Sequence, residues 1–451
     1  MKTLFTFQRN ALDYLKSKNK VLLALDMGLG KTFTGLNWIK EKNANLPILI
    51  LCQKNKINDW GEEVKNVLSD YVVFKVKNQK HFLELLKENA NELNIVYVVS
   101  YSMFTLFTKK NPRWWLFHLR KSCSLIFDES QGLRNRTSLI SKYTYRFSIW
   151  CKYVLLLSGD PTPNGYKDLF MQMKVLNLFV DGYSWYDFLN EFCLTIPIPG
   201  SSILNVIGYK NTEYLMERLR PYSYFLKTKD AIDLPDEWWI KEEGMVSKLY
   251  QQFRNEKIIN VENNEIVSNG TLSEMTILRQ ISSGFIHNTI TDEYHTISNF
   301  KIDLLRSLLE NNTKENIVIF YNFNYERKMI IDLLEELKVG KILRIDGSQN
   351  DNLDFINKEK QNIILVQYQS GARGIDGLQK ISNRLIYYSP PLSGELFKQS
   401  IKRIHRIGQQ NKCIYHTFVN SKLESLIYKT LQTYQDFTNE IFEKLKEENL
   451  V

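Results

Sequence analysis

Val21-Leu22-Leu23-Ala24-Leu25-Asp26-Met27-Gly28-Leu29-Gly30-Lys31-Thr32 decides the fold. Five apolar residues read as a buried strand, two closely spaced glycines break it, and a helical pattern follows. Strand, glycine loop and helix in that order belong to an α/β architecture with a parallel sheet. The glycines let backbone N–H groups approach phosphate oxygens at a helix N-terminus. Lys31 is then placed to pair with the outer phosphates of a nucleotide, and Thr32 to offer a hydroxyl to Mg2+. One departure from the common phosphate loop is visible: Leu25 stands where its first glycine would be.

Outward from that loop, Ile48–Cys52, Ile95–Ser100, Leu125–Asp128 and Val154–Ser158 read as further strands. Ile57, Trp60, Val64 and Val67 fall at helical spacing and predict an amphipathic helix against this first sheet. A second series, Ile317–Tyr321, Ile342–Ile345, Ile363–Gln367 and Leu385–Tyr388, predicts a second sheet. Between about Gly165 and Asn299 no strand run of comparable strength occurs, and Leu234-Pro235-Asp236 suggests a hinge. The expected organisation is an N-terminal lobe over 1–230 with a helical insertion from about 166, a linker and helical region over 231–300, and a C-terminal lobe over 301–451.

The strand Leu125–Phe127 runs into Asp128-Glu129. Two carboxylates at a strand end suit a Mg-nucleotide hydrolase: Asp128 to hold the metal and Glu129 to orient or deprotonate the attacking water. Near the other end, Arg403 and Arg406 lie three apart, spaced to share a helix face or turn and to meet charge that develops on a γ-phosphate. From Lys398 to Lys412 there is no acidic residue, so a DNA-facing helix is the competing reading, and both can hold at once on different faces.

Composition narrows the class. With 451 residues the chain is long enough for two or three domains, and 43% hydrophobic and 24% charged residues are ordinary for a globular protein. The net charge of +9 favours a polyanionic partner. Five scattered cysteines and six histidines show no metal-ligand spacing, which argues against structural zinc and for reduced thiols. No apolar run reaches a membrane-spanning length, and the first residues lack a signal-peptide core. The expectation is a soluble cytoplasmic protein without a membrane partner, monomeric when free.

The motifs together resemble the Swi/Snf-type DNA translocases of helicase superfamily 2, over nearly the whole chain. Phe7-Gln8 is similar to the glutamine motif that reads adenine. Asp26 to Thr32 resembles D-E-M-G-L-G-K-T, and Asn58-Asp59-Trp60 after Ile48–Cys52 resembles the next block. Asp128-Glu129-Ser130-Gln131 with Leu133-Arg134-Asn135 stands for the D-E-A-H box and its trailing L-K-N. Leu156 to Asn164 resembles L-L-T-G-T-P-x-x-N, Phe225 to Asp230 the linker block, and Ser370 to Leu378 the motif that couples DNA to nucleotide. Arg403-Ile404-His405-Arg406-Ile407-Gly408-Gln409 matches R-A-H-R-I-G-Q almost completely.

The resemblance implies two RecA-like parallel-sheet lobes with the nucleotide in the cleft between them. ATP and Mg2+ would be the cofactors. Gln8, Asp26, Met27, Gly28, Leu29, Gly30, Lys31, Thr32, Gly374 and Asp376 would bind nucleotide, and Lys31, Asp128, Glu129, Arg403 and Arg406 would act in catalysis. DNA contacts fall on Lys54, Asn55, Ser100, Tyr101, Asn322 and Ser370. The implied track is double-stranded DNA, with single-stranded or forked DNA as variants and a replication or recombination protein as a partner.

Two positions depart from the pattern: Gln131 replaces the box histidine and Asp160 a threonine. Gln131 can still donate and accept hydrogen bonds, so altered coupling rather than an inactive enzyme is expected. Lys109-Lys110, Arg113-Trp114-Trp115 and Arg120-Lys121 interleave bases and aromatics, but a core helix with a basic rim is the preferred reading; Trp238-Trp239 are read as packing residues. Leu423–Leu450 reads as a charged amphipathic helix. Two rival functions remain: a strand-separating helicase, and a nucleotide-gated module that docks a partner and turns ATP over slowly.

Overall fold

The computed structural model describes residues 3–42, 45–111, 123–197, 200, 204–244, 247–261, 264–267, 271–289, 291–349, 351–353, 360–371 and 377–432. They form two compact units that divide between Asp233 and Leu234, at the Leu-Pro-Asp stretch. Each unit has its own parallel sheet, so the α/β reading with two parallel-sheet lobes is borne out.

In the first unit the strands are β1 (Lys20–Leu25), β2 (Ile48–Cys52), β3 (Val72–Lys75), β4 (Ile95–Ser100), β5 (Cys123–Phe127), β6 (Cys151–Ser158), β7 (Cys193–Pro197), β8 (Leu204–Tyr209) and β9 (Ser223–Leu226). All but β7 and β8 join one sheet in the order β3-β4-β2-β5-β6-β1-β9. Neighbouring strands are parallel throughout, with Leu22 opposite Leu156 and Ile50 opposite Ile126. Central strands covered by helices on both faces need unbroken apolar runs, which is why β1, β2, β4, β5 and β6 stand out in the sequence. Ile50, Ile126 and Leu155 have no exposed surface, and each such side chain is worth about 1.5–3 kcal/mol of burial. The expected helix appears over Ile57–Val67 with Trp60, Val64 and Val67 buried.

The insertion after about 166 is helical only in part. Helices Leu169–Val175, Trp185–Phe192 and Thr212–Leu219 alternate with the antiparallel hairpin β7–β8, and the chain then returns to the sheet as β9 beside β1. Both sheet edges, β3 and β9, were illegible as strands because they are short and only partly covered.

The second unit contains β10 (Glu237–Glu243), β11 (Ile258–Val261), β12 (Asn264–Val267), β13 (Phe285–Asn288), β14 (Glu293–Thr296), β15 (Ile317–Tyr321), β16 (Lys341–Ile345), β17 (Asn362–Gln367), β18 (Arg384–Tyr387) and β19 (Cys413–Val419). Its parallel sheet runs β10-β19-β18-β15-β17-β16, and β11–β12 and β13–β14 are separate hairpins. The region expected as a linker and helical stretch therefore supplies a strand of this sheet and two hairpins, along with the helices Lys248–Glu256 and Thr271–Ser282. Strand β10 escaped the sequence reading because Glu237-Trp-Trp-Ile-Lys-Glu-Glu243 is an edge strand with charged residues on its open side. Trp239 packs as expected, stacked on Tyr415 with ring centroids 4.3 Å apart. Trp238 does not: it is 54% exposed, beneath the Lys412 ammonium at 3.8 Å. Among the described residues no helix is long and apolar enough to cross a membrane.

Candidate active site

The glycine loop joins β1 to the helix Lys31–Lys42. Gly28 (φ 91°) and Gly30 (φ 73°) are left-handed, a conformation in which an L side chain is strained. A Cβ on Gly30 would also meet Gln8 Nε2 at 2.6 Å. Gln8 is buried, and its amide donates to the Leu29 carbonyl (2.9 Å) while accepting from Phe5 N–H (3.0 Å). The glutamine thus braces the loop backbone. Asp26 anchors the other flank: its carboxylate accepts from Met27 N (2.8 Å) and from the Thr228 hydroxyl (2.8 Å). Gln8 and Asp26, both expected as nucleotide contacts, each hydrogen-bond to the loop backbone.

Lys31 Nζ lies 3.3 Å from Glu129 Oε1, which brings together the two residues most diagnostic of the expected chemistry. Glu129 has φ 47°, so the backbone turns sharply at the end of β5 in a region disfavoured for a non-glycine residue. Its second oxygen accepts from Gln131 Nε2 (2.9 Å), and Gln131 Oε1 in turn accepts from the Ser158 hydroxyl (2.7 Å). Ser158 Oγ also receives Asp160 N–H at 3.1 Å. The two departures from the family pattern, Gln131 and Asp160, are therefore joined through one serine at the end of β6. A Cβ on Gly159 would sit 3.7 Å from Lys31 Nζ, so this turn abuts the same lysine.

Asp128 is buried beside this pair. Trp60 Nε1 donates to its Oδ2 (2.9 Å), Glu129 N–H to its Oδ1 (3.1 Å), and the Tyr101 hydroxyl to its carbonyl. Burial, then the charge of Glu129, pushes the Asp128 carboxyl up to about 6. Burial acts on Glu129 in the same sense, but Lys31 and the Gln131 hydrogen bond outweigh it and hold that carboxyl below its ordinary range. The pair thus has one carboxylate primed by a cation and one raised by desolvation. Asp128 and Thr32 supply hard oxygen donors of the kind Mg2+ takes, so the residues present fit that ion.

Trp60 and Ser158 were missed as site residues. Trp60 reads as an ordinary core position of an amphipathic helix, and nothing in its spacing tells that its indole N–H reaches a carboxylate. Of Ser100 and Tyr101, expected on DNA, the first is buried and the second half-buried. Ser100 caps the helix Tyr101–Lys110, while Tyr101 stacks on Phe127 with centroids 5.0 Å apart. Lys54 and Asn55 do stand exposed, on a short turn after β2.

In the second unit Asn322 is directed inward: its amide donates to Ser389 Oγ (2.8 Å) and to the Pro390 carbonyl (2.9 Å), fixing the loop after β18. Arg403 and Arg406 lie on a turn that follows the helix Gly394–Ile401, the first buried and the second half-buried. Their neighbours shape that turn. Gln409 Nε2 donates to the Ser382 carbonyl (3.0 Å), and its Oε1 accepts from Gln410 N and Asn411 N (3.0 Å each). His405 Nε2 is 2.9 Å from the Pro235 carbonyl and Nδ1 is 2.9 Å from Glu237. Gly408 adopts φ 96°, open to glycine. The side chain of Ser370, all of Gly374 and Asp376, the basic-aromatic stretch 112–122 and the chain beyond 432 lie outside the described residues.

The SNF2-related domain matches residues 7–282, and the helicase conserved C-terminal domain matches 300–408. The chain is 23% identical to the SWI/SNF-related matrix-associated actin-dependent regulator of chromatin subfamily A-like protein 1 of Drosophila melanogaster, over 97% of this chain and 56% of that protein. It is 23% identical to the ISWI chromatin-remodeling complex ATPase ISW1 of Saccharomyces cerevisiae (94% and 39%), and 20% identical to the human DNA annealing helicase and endonuclease ZRANB3 (98% and 41%). It spans about half or less of the length of these relatives. The Sulfolobus solfataricus SWI2/SNF2 ATPase core in complex with dsDNA aligns over 98% of this chain and 93% of that one, at 20% identity and a TM-score of 0.42. With more than half of its length matched by the SNF2-related domain and a helicase C-terminal domain behind it, the chain belongs to the SNF2-related family of helicase-like ATPases.

Proposed function

We propose that this protein hydrolyses ATP to move along duplex DNA. The observation that carries the chemistry is the Lys31–Glu129 contact beside buried Asp128, at the end of a strand facing a glycine loop. A γ-phosphate arriving at Lys31 competes for the ammonium that neutralises Glu129. Glu129, still oriented by Gln131, is then free to take a proton from water. Thr32 and Asp128 would hold Mg2+, which neutralises phosphate charge when bound. Arg403 and Arg406 are the residues proposed to act on the charge that develops in the transition state.

DNA as the track rests on family membership, on relatives named for chromatin remodelling and DNA annealing, and on the basic excess of the chain. Binding mainly through phosphates makes it sequence-tolerant and steeply salt-dependent. A role beside replication or recombination proteins fits such a motor. The test is the ATPase rate without nucleic acid and with single-stranded DNA, duplex DNA and duplex RNA. Duplex DNA should stimulate most, more so as it lengthens, and an ATP-dependent displacement of a triplex strand should accompany it. Efficient opening of a forked duplex, or stimulation by single strands alone, assigns a strand-separating helicase instead. Equal activity on RNA duplex removes the DNA assignment.

A further inference from the structure

We infer that the first unit carries an additional site for a nucleoside phosphate, in a cavity of about 390 Å³ among the helices Leu139–Ser148, Leu169–Val175 and Trp185–Phe192. None of its lining residues belongs to the glycine loop or to the Asp128–Glu129 centre. Four cations converge on it: Arg136, Lys142, Arg146 and Lys174. Lys142 and Arg146 are four apart on one helix and share its face. Among the described residues no carboxylate lies within ion-pair distance of these four, whereas cations elsewhere on the surface find one, as Lys56 does in Asp59 and Arg306 in Glu336. Asp187, near the rim, is already engaged: its Oδ2 accepts from the Ser184 N–H and hydroxyl, each at 2.7 Å.

The walls of the cavity are flat and apolar. The Arg136 guanidinium lies 5.4 Å from the Trp185 ring centre, and the Lys174 ammonium 5.2 Å from Tyr145 and 5.5 Å from Phe170. Lys174 is further fixed by a hydrogen bond to the Tyr183 carbonyl (3.2 Å). Charge and rings together select the ligand. A bare phosphate would leave the aromatic wall unused, and an apolar molecule would desolvate four cations without answering their charge. A nucleoside phosphate answers both: its phosphate draws the Arg136 guanidinium off Trp185 to lie between Arg136 and Arg146, and its base takes the ring face so vacated. The shared chemistry has two sources, a free nucleotide or an unpaired nucleotide of a strand.

The full chain carrying Lys31→Ala, in which nucleotide binding at the glycine loop is weakened, is titrated with fluorescein-labelled (dT)4, and AMP is tested as competitor. Failure here is thereby separate from failure of the proposed ATP site. Arg146→Glu should weaken (dT)4 binding by about tenfold or more, through loss of a cation and gain of a like charge against the ligand. Trp185→Leu should weaken it by roughly five- to tenfold and Trp185→Phe by no more than about threefold, since stacking tolerates any flat ring. Displacement by AMP assigns free nucleotide as the ligand; displacement only by oligonucleotide assigns a strand. The site is refuted if (dT)4 fails to bind or if both Arg146→Glu and Trp185→Leu bind it like the parent. Equal binding of an abasic tetramer also refutes it, because a basic surface without base stacking explains that result. So does displacement by an acidic, tyrosine-containing peptide but not by AMP.

Discussion

The glycine-loop centre of the first unit and the arginine turn of the second hold charged groups by different means. Asp128 and Glu129 are gripped by side chains from distant segments: Trp60 from one helix, Lys31 from another, and Ser158 through Gln131 from the neighbouring strand. Arg403 and Arg406 sit on a turn whose backbone is shaped by neighbours of the arginines: Gln409 folds back on Ile404 and Gln410 and reaches the Ser382 carbonyl, and His405 meets the Pro235 carbonyl and Glu237. The first arrangement sets proton affinity and orientation, so it is sensitive at many remote positions. The second sets backbone shape, so damage to it should be local. A centre held by remote side chains and a turn held through its backbone should therefore fail in different ways.

The sharpest break should come at the turn. Arg406→Ala or Arg403→Ala is expected to lower DNA-stimulated turnover by roughly 10³-fold or more while leaving DNA affinity near that of the parent protein. If the main loss is instead in DNA binding, with a flatter salt dependence, the turn tracks phosphates and does not serve catalysis. Next in size is Glu129→Gln, which should cost about 10²–10⁴-fold in kcat with ATP binding retained. Single-turnover kinetics with labelled ATP would read this directly. Retention of more than about a tenth of the parent rate excludes Glu129 as the base.

Smaller effects probe the means of support. Trp60→Phe keeps the ring but removes the donor to Asp128, and should destabilise the first unit by about 1–3 kcal/mol. Chemical denaturation measures it, and an unchanged midpoint would show that the indole N–H is replaceable. Gln409→Leu removes four hydrogen bonds around the arginine turn and should cost a similar or smaller amount, about 1–2 kcal/mol. Its effect on turnover should follow that of Arg406 in kind but fall well short of it. If Gln409→Leu is as severe as Arg406→Ala, the turn is as cooperative as the glycine-loop centre.

Much of this was legible in the sequence, for identifiable reasons. Central strands announce themselves because burial on both faces demands continuous apolar residues, as in Ile48–Cys52. Lys31, Asp128 and Glu129 were legible because a glycine loop and a strand-end carboxylate pair each have few other uses. Edge strands β3, β9 and β10 were not, since partial exposure permits Lys75 or Glu243 within them. Inward-facing polar side chains were the least legible. Tyr101 and Asn322 look like surface contacts in one dimension, and only the fold shows that a carbonyl waits beside each. Trp60 fails in the reverse sense, a core residue by spacing whose one polar atom matters.

The Asp26–Thr228 hydrogen bond has a mechanical meaning. Thr228 lies a handful of residues before the chain crosses from one compact unit into the next. The same carboxylate fixes the backbone at the start of the glycine loop. The departing chain is thus leashed to the phosphate loop with almost no slack, because so few residues extend only about 3.3–3.6 Å each. The chain therefore leaves the first unit from a point that the same carboxylate ties to the glycine loop.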